Sequence, residues 1–127
     1  MAIRTLDHVN IHTPRVAETL RFYGDLLGMR AAPPPGSDDM ARGAWIYDPE
    51  GRPVVHVVSS ELVEGSVAGE GSGRVHHVAF ECSDYDAMRA DLEARDAVEQ
   101  LNEVAEIGLR QIFVRDPNGI LLELNFR

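Results

Sequence analysis

Two short motifs occur twice in this chain, in the same order and at nearly the same spacing. Asp7-His8-Val9 is answered by His76-His77-Val78, and Tyr47-Asp48-Pro49-Glu50-Gly51 by Arg115-Asp116-Pro117-Asn118-Gly119. The offsets are about 69 and about 68 residues, outside the usual solenoid periods, so they mark one internal duplication. This constrains the fold more than any other feature, because whatever the first half becomes, the second half must become as well. The chain has 127 residues, which suits one domain of two such units and leaves no room for two independent cores. The expected division is a single domain over 1–127, with unit 1 over about 1–60, a linker over about 61–73 and unit 2 over about 74–127.

Periodicity says what each unit contains. Ile3 to Ile11 alternates polar and apolar residues like a half-buried strand and runs into Thr13-Pro14, an N-cap followed by a first-turn proline. A helix is therefore predicted from Pro14, with Val16, Leu20, Tyr23, Leu26 and Leu27 on one face and Gly28 as its stop. Ala31 to Arg42 holds three consecutive prolines and reads as a loop. Ala44–Tyr47 and Val54–Val58 read as strands joined by the Asp48-Pro49-Glu50-Gly51 turn. Ser59 to Gly73, rich in Ser, Gly and Glu, reads as the linker. In the second half Val75–Glu81 is a predicted strand, and Ser83 with Asp86 a capping box for a helix through Ala94. Val98–Val104, Leu109–Arg115 and Ile120–Phe126 are the remaining predicted strands. The fold class is α+β, built from two tandem βαβββ units that pair into a curved, cleft-forming mixed sheet.

The charge balance narrows the partners. A formal charge of −9 with no cluster of Lys or Arg is the opposite of what phosphate neutralisation needs, so no nucleic-acid or membrane partner is expected. The single cysteine, Cys82, cannot form an internal disulfide. The opening MAIRTLDHVNIHT lacks the unbroken apolar run of a signal peptide, and a cytoplasmic protein is the expectation.

Strand alternation puts His8 on a face with Leu6 and Asn10, His77 with Val75 and Ala79, and Glu123 with Leu121 and Asn125. An ionisable group on an otherwise apolar strand face is costly unless satisfied. Several at corresponding positions of a duplicated unit suggest a shared partner. Two imidazoles and a carboxylate suit Fe(II), Mn(II), Ni(II), Co(II) or Zn(II) and leave positions open for water or substrate. Trp45 and Tyr47 read as a cleft wall or as core, His76 as pointing away from His77 into solvent, and Glu99 to Glu106 as a solvated acidic face.

LDHVNI, LRFYGDLLGM, VVHVV, HHVAF and the closing RDPNGILLELNF resemble the vicinal oxygen chelate superfamily over nearly the whole chain. That superfamily includes glyoxalase I, methylmalonyl-CoA epimerase, extradiol dioxygenases, fosfomycin-resistance enzymes and bleomycin-binding proteins. The resemblance implies one divalent metal ion per site, no nucleotide cofactor, and ligands from the first and last strand of each unit. Carried onto this chain these are His8, His56, His77 and Glu123, with Glu123 doubling as the catalytic base. His56 lies five residues past Gly51 whereas Glu123 lies four past Gly119, so matching them requires a bulge, which Arg52-Pro53 can supply.

Substrate contacts are expected from Asn10, His12, Arg110, Gln111, Phe113 and Asn125, with Arg110 as an anion clamp. The function this implies is a metal-dependent lyase or isomerase of the glyoxalase type on a small oxygenated metabolite, working as a homodimer. Two departures shape that reading. His12 stands near the place where enzymes resembling glyoxalase I carry a glutathione-holding arginine. Phe113 stands where extradiol dioxygenases carry a tyrosine, which makes an Fe(II) dioxygenase the second choice. A fosfomycin-type enzyme and a non-catalytic antibiotic-binding protein are the further alternatives.

Overall fold

The computed structural model describes residues 6–64 and 77–127, and its backbone divides into two compact units, Met1–Ser72 and Gly73–Arg127. In the first, strand β1 (Val9–Thr13) leads into helix α1 (Val16–Arg21), which continues as a π-helical turn over Phe22–Leu26. Strands β2 (Arg30–Ala32), β3 (Gly43–Tyr47) and β4 (Pro53–Ser59) come next. In the second, β5 (Val78–Cys82), α2 (Tyr85–Ala94), β6 (Gln100–Val104), β7 (Leu109–Arg115) and β8 (Leu121–Phe126) repeat the order, with a 3₁₀ turn at Ala105–Ile107. Each unit is βαβββ, and each sheet has four strands, ordered β1-β4-β3-β2 and β5-β8-β7-β6. In both, the first and last strands run parallel and the remaining pairs antiparallel.

Alternation decides which side chains are buried. In the first unit Ile11, Thr13, Ala44, Ile46, Val55, Val57 and Ser59 are buried with Thr19 and Tyr23 of the helix. In the second, Ile112, Val114, Leu122, Leu124 and Phe126 are buried with Leu92 of α2, and Tyr85 packs edge-on against Phe126. The intervening residues of each strand face the other way and carry the polar chemistry.

The duplicated turn is built twice from the same hydrogen bonds. Asp48 Oδ1 accepts the backbone N–H groups of Glu50 and Arg52, each at 2.9 Å. Asp116 Oδ1 accepts those of Asn118 and Ile120 at 2.8 and 2.9 Å. Gly51 and Gly119 both sit at φ +82°, a conformation open to glycine and strained for a residue with a Cβ. The Arg52 backbone N–H, helped by the Arg52 guanidinium, holds the Asp48 carboxyl below its usual range against a smaller opposing effect of desolvation.

The two turns lead into strands that pair differently. β3 pairs with β4 through Trp45↔His56 and Ile46↔Val55 and then Tyr47↔Pro53, so Val54 is passed over. β7 pairs with β8 through Phe113↔Glu123, Val114↔Leu122 and Arg115↔Leu121 with no shift. The residue passed over is the one by which His56 and Glu123 differ in distance from their turn glycines. The two therefore stand at matching register positions, opposite Asn10 and Ala79 on the first strands.

Several local expectations are corrected. β1 begins at Val9 and β5 at Val78, while Ile3, Arg4, Thr5, Val75 and His76 of the expected strands, and residues 65–73 of the expected linker, lie outside the described residues. α1 starts at Val16 instead of Pro14, because Thr13 Oγ1 accepts the Arg15 N–H in a tight turn ahead of the helix. The cap of α2 is Asp84, whose carboxylate accepts from the Ala87 N–H, instead of Ser83. A short strand, β2, occupies the start of the segment read as loop, and the strand expected from Val98 begins at Gln100.

Candidate metal centre

In the first unit the donors are two imidazoles. His56 sits mid-strand on β4, in register with Asn10 on one side and Trp45 on the other. Its ring lies between two others: His8 at 3.8 Å between centroids and 15° between planes, and Trp45 at 4.2 Å and 5°. Burial between them pushes the His56 pKa down. The neighbouring His8 adds to that shift, while a hydrogen bond to the Pro53 backbone and the Asp7 carboxylate work against it. Its Nε2 is buried and has no hydrogen-bond partner, so it can offer a lone pair when the ring carries its proton on Nδ1.

His8 stands one residue ahead of β1, and its Nδ1 meets Asp7 Oδ2 at 2.6 Å. A carboxylate on Nδ1 fixes the tautomer and leaves Nε2 as the basic nitrogen, the arrangement by which metal-binding histidines are usually oriented.

In the second unit the donors are an imidazole and a carboxylate. His77, one residue ahead of β5, brings Nε2 to 2.9 Å from Oε2 of Glu123 on β8. The other carboxylate oxygen, Oε1, accepts a short hydrogen bond from Gln111 Nε2. The same nitrogen donates to Asn125 Oδ1 at 3.0 Å, and Gln111 Oε1 accepts from Asn102 Nδ2 at 2.7 Å. The Glu123 side chain is 14% exposed, enough to be reached and too little to wander.

These donors fit a divalent ion by their own chemistry. An orphaned buried imidazole nitrogen is an unsatisfied acceptor that a cation relieves. His77 Nε2 and Glu123 Oε2 stand 2.9 Å apart, close enough for one ion to be held by both. The donors occur as two pairs, one in each unit, and among the described residues no group of three or more His, Cys, Asp or Glu side chains converges.

The expected substrate contacts divide. Asn10 and His12 are exposed on the strand face that carries His56, and Phe113 is half-buried in register with Glu123. Asn125 is engaged by Gln111. Gln111 is itself buried and spends its amide on three neighbours, so it supports Glu123 instead of presenting a free group. Arg110 does not join them: it alternates with Gln111, faces the helix side, and lays its guanidinium over the Tyr85 ring at 4.0 Å. Three residues that sequence reasoning did not assign to ligand support belong here. Asp7 was hidden because strand neighbours point apart, and His8 precedes the strand. Asn102 lay within a stretch that reads as a solvated acidic face. Trp45 proves to be the ring on which His56 rests.

The fold and the paired donors define a duplicated βαβββ protein with candidate metal ligands just ahead of the first strand and on the last strand of each unit. Residues 5–124 match the Glyoxalase/Bleomycin resistance protein/Dioxygenase superfamily, and the chain belongs to that family. A curated relative from Arabidopsis thaliana, Glyoxylase I 4, is 26% identical over 126 residues, covering 96% of this chain and 70% of the relative. Among solved structures, a glyoxalase/dioxygenase from Nostoc punctiforme superposes with a TM-score of 0.76 at 15% identity, covering 98% of this chain and 92% of that one. Lactoylglutathione lyase from Agrobacterium tumefaciens does so with a TM-score of 0.67 at 16% identity, covering 99% and 96%. Those two likenesses concern the fold.

Proposed function

We propose that this chain is a divalent-metal-dependent lyase or isomerase of the glyoxalase type, acting on a small oxygen-rich metabolite, with His8, His56, His77 and Glu123 holding the ion. The observation that carries the reading is the buried, partnerless Nε2 of His56 at the register position that Glu123 occupies in the other unit. A polar atom left in that state costs stability unless something fills it. The glyoxalase name of the curated relative points the same way.

When bound, the ion supplies Lewis acidity to two neighbouring substrate oxygens. The rest falls to the chain. Glu123, its Oε1 held by Gln111, would serve as a ligand through Oε2 and, once that oxygen is displaced, take a proton from the carbon beside a carbonyl and return it to the same or an adjacent carbon. Asn10, His12 and Phe113 contact the substrate from the faces that carry the donors. His12 stands near the place where enzymes resembling glyoxalase I carry a glutathione-holding arginine, which favours a free metabolite over a glutathione adduct as substrate. Edge strands β1 and β2 in one sheet and β5 and β6 in the other favour a homodimer, since covering edges with a second copy is a common solution. No helix among the described residues is long and apolar enough to cross a membrane. The lone cysteine, its thiol pushed up by burial, is consistent with a cytoplasmic setting.

The test is proton exchange. Protein loaded with Ni(II), Co(II) or Mn(II) is expected to exchange the α-proton of a 2-oxo or 2-hydroxy carbonyl compound in deuterated water, and Glu123→Gln to abolish the exchange. Exchange that survives Glu123→Gln removes Glu123 as the base. Rapid oxygen uptake by Fe(II)-loaded protein with a panel of catechols contradicts the reading in favour of a dioxygenase.

A further inference from the structure

We propose that Gln111, anchored by Asn102, is a positioning residue that reserves a single oxygen of Glu123, Oε2, for the reaction and the ion; this rests on the metal-site reading above. An ionised carboxylate only accepts hydrogen bonds, so the group facing Glu123 Oε1 must be the Gln111 nitrogen. That orients the rest of the amide. The Gln111 oxygen then faces Asn102, which must present its own nitrogen, and the second Gln111 hydrogen goes to Asn125. The polarity of three side chains on three adjacent strands, β6, β7 and β8, is thereby set by one carboxylate, and Asn102, Gln111 and Asn125 stand in direct cross-strand register.

The consequence is geometric. A carboxylate free at both oxygens can rotate about its last torsion and bind an ion through one oxygen or two. With Oε1 engaged by a buried amide, only Oε2 remains, directed at His77 Nε2. The first unit shows that the device is particular to Glu123. Counting back along the matched pairs, the counterpart of Gln111 is Gly43, at φ +151°, where an added Cβ would lie 2.2 Å from the Val57 carbonyl oxygen. No side chain fits there, and His56 is held by ring stacking.

The experiment compares wild type, Gln111→Met and Asn102→Ala for Co(II) affinity by competition with a chelator, alongside melting curves. Gln111→Met keeps the length of the side chain and removes its donors. It is expected to weaken Co(II) binding about 10- to 100-fold, the usual effect of losing a group that orients a ligand, with Asn102→Ala weakening it less. Should Gln111→Met fail to fold, Asn102→Ala decides, because Asn102 is exposed on an edge strand. Folded variants with wild-type affinity overturn the positioning role. A metal-free measurement separates this from failure of the parent reading: the Gln111 side-chain amide protons are expected to exchange slowly with solvent in wild type and rapidly in Glu123→Ala. Slow exchange together with no Co(II) binding by wild type overturns the metal site, and the positioning role with it, while the amide chain stands. Fast exchange in wild type overturns the amide chain itself.

Discussion

The two units share their element order, sheet order and the hydrogen-bond logic of one turn, yet they hold their candidate ligands by different physics. In the first, His56 is gripped by the faces of His8 and Trp45 and has a nitrogen with nothing to bond. In the second, Glu123 is gripped by hydrogen bonds, one oxygen on Gln111 and the other on His77. The Asp-Pro-x-Gly turn is common to both because reversing the chain requires the same carboxylate and the same left-handed glycine wherever it is done. The polar face is under no such demand. Duplication therefore retained what builds a sheet and let the face diverge into an imidazole held by stacking on one side and a carboxylate held by hydrogen bonds on the other.

The largest effect expected from breaking that contrast is at the rings. Trp45→Ala should destabilise the protein by about 2–3 kcal/mol, somewhat below a fully buried tryptophan because the ring is half-exposed. Phe113→Ala, at the matching place beside Glu123, should cost about 1 kcal/mol less, since it forfeits no stacked ring. Urea unfolding of both variants measures the difference. Equal losses would mean that the stack contributes nothing and that the two units are held alike.

A smaller effect of opposite sign sharpens the comparison. In chelator-treated protein, His56→Phe keeps the stack and removes the orphaned nitrogen, and is expected to stabilise by up to about 1 kcal/mol, the lost bond to the Pro53 backbone working against the gain. Glu123→Leu strips Gln111 and His77 of an acceptor and is expected to destabilise by a similar amount. The first gain should grow with acidity. The folded-state pKa of His56 lies below its unfolded value, so the unfolded chain binds more protons and wild type loses stability as pH falls from neutrality through the imidazole range. His56→Phe escapes that loss. If it destabilised as Glu123→Leu does, and equally at pH 7 and pH 5, His56 would be an ordinary packed residue.

Much of this is legible in the chain. β7 is readable with its observed bounds because Leu109–Arg115 is flanked by Gly108 and the Asp116 turn, and the bulge beside Pro53 is what matching His56 to Glu123, as the family resemblance implies, requires when counted from Gly51 and Gly119. β2 is hidden because Arg30–Ala32 is three residues long and runs straight into prolines, too short for any period to show. The helix start is misplaced because Thr13 can cap a turn as well as a helix, and only the fold chooses. At the site, single donors are readable by residue type. Their supports are not, since Asn102 and Trp45 act on partners across neighbouring strands, and Asp7 reaches its sequence neighbour His8 only because both lie ahead of β1, where strand alternation does not apply. Arg110 could have been excluded by alternation alone, because a residue next to Gln111 on a strand cannot share its face.

Metal stoichiometry tests the proposed function most directly: that His8, His56, His77 and Glu123 hold a divalent ion. Protein stripped by a chelator, loaded with Co(II) and dialysed is expected to retain one ion per chain by elemental analysis, with loss in His56→Ala and in Glu123→Ala alike, since one variant disarms each unit. An ion that either variant retains in full, or a wild type that retains none, contradicts the account.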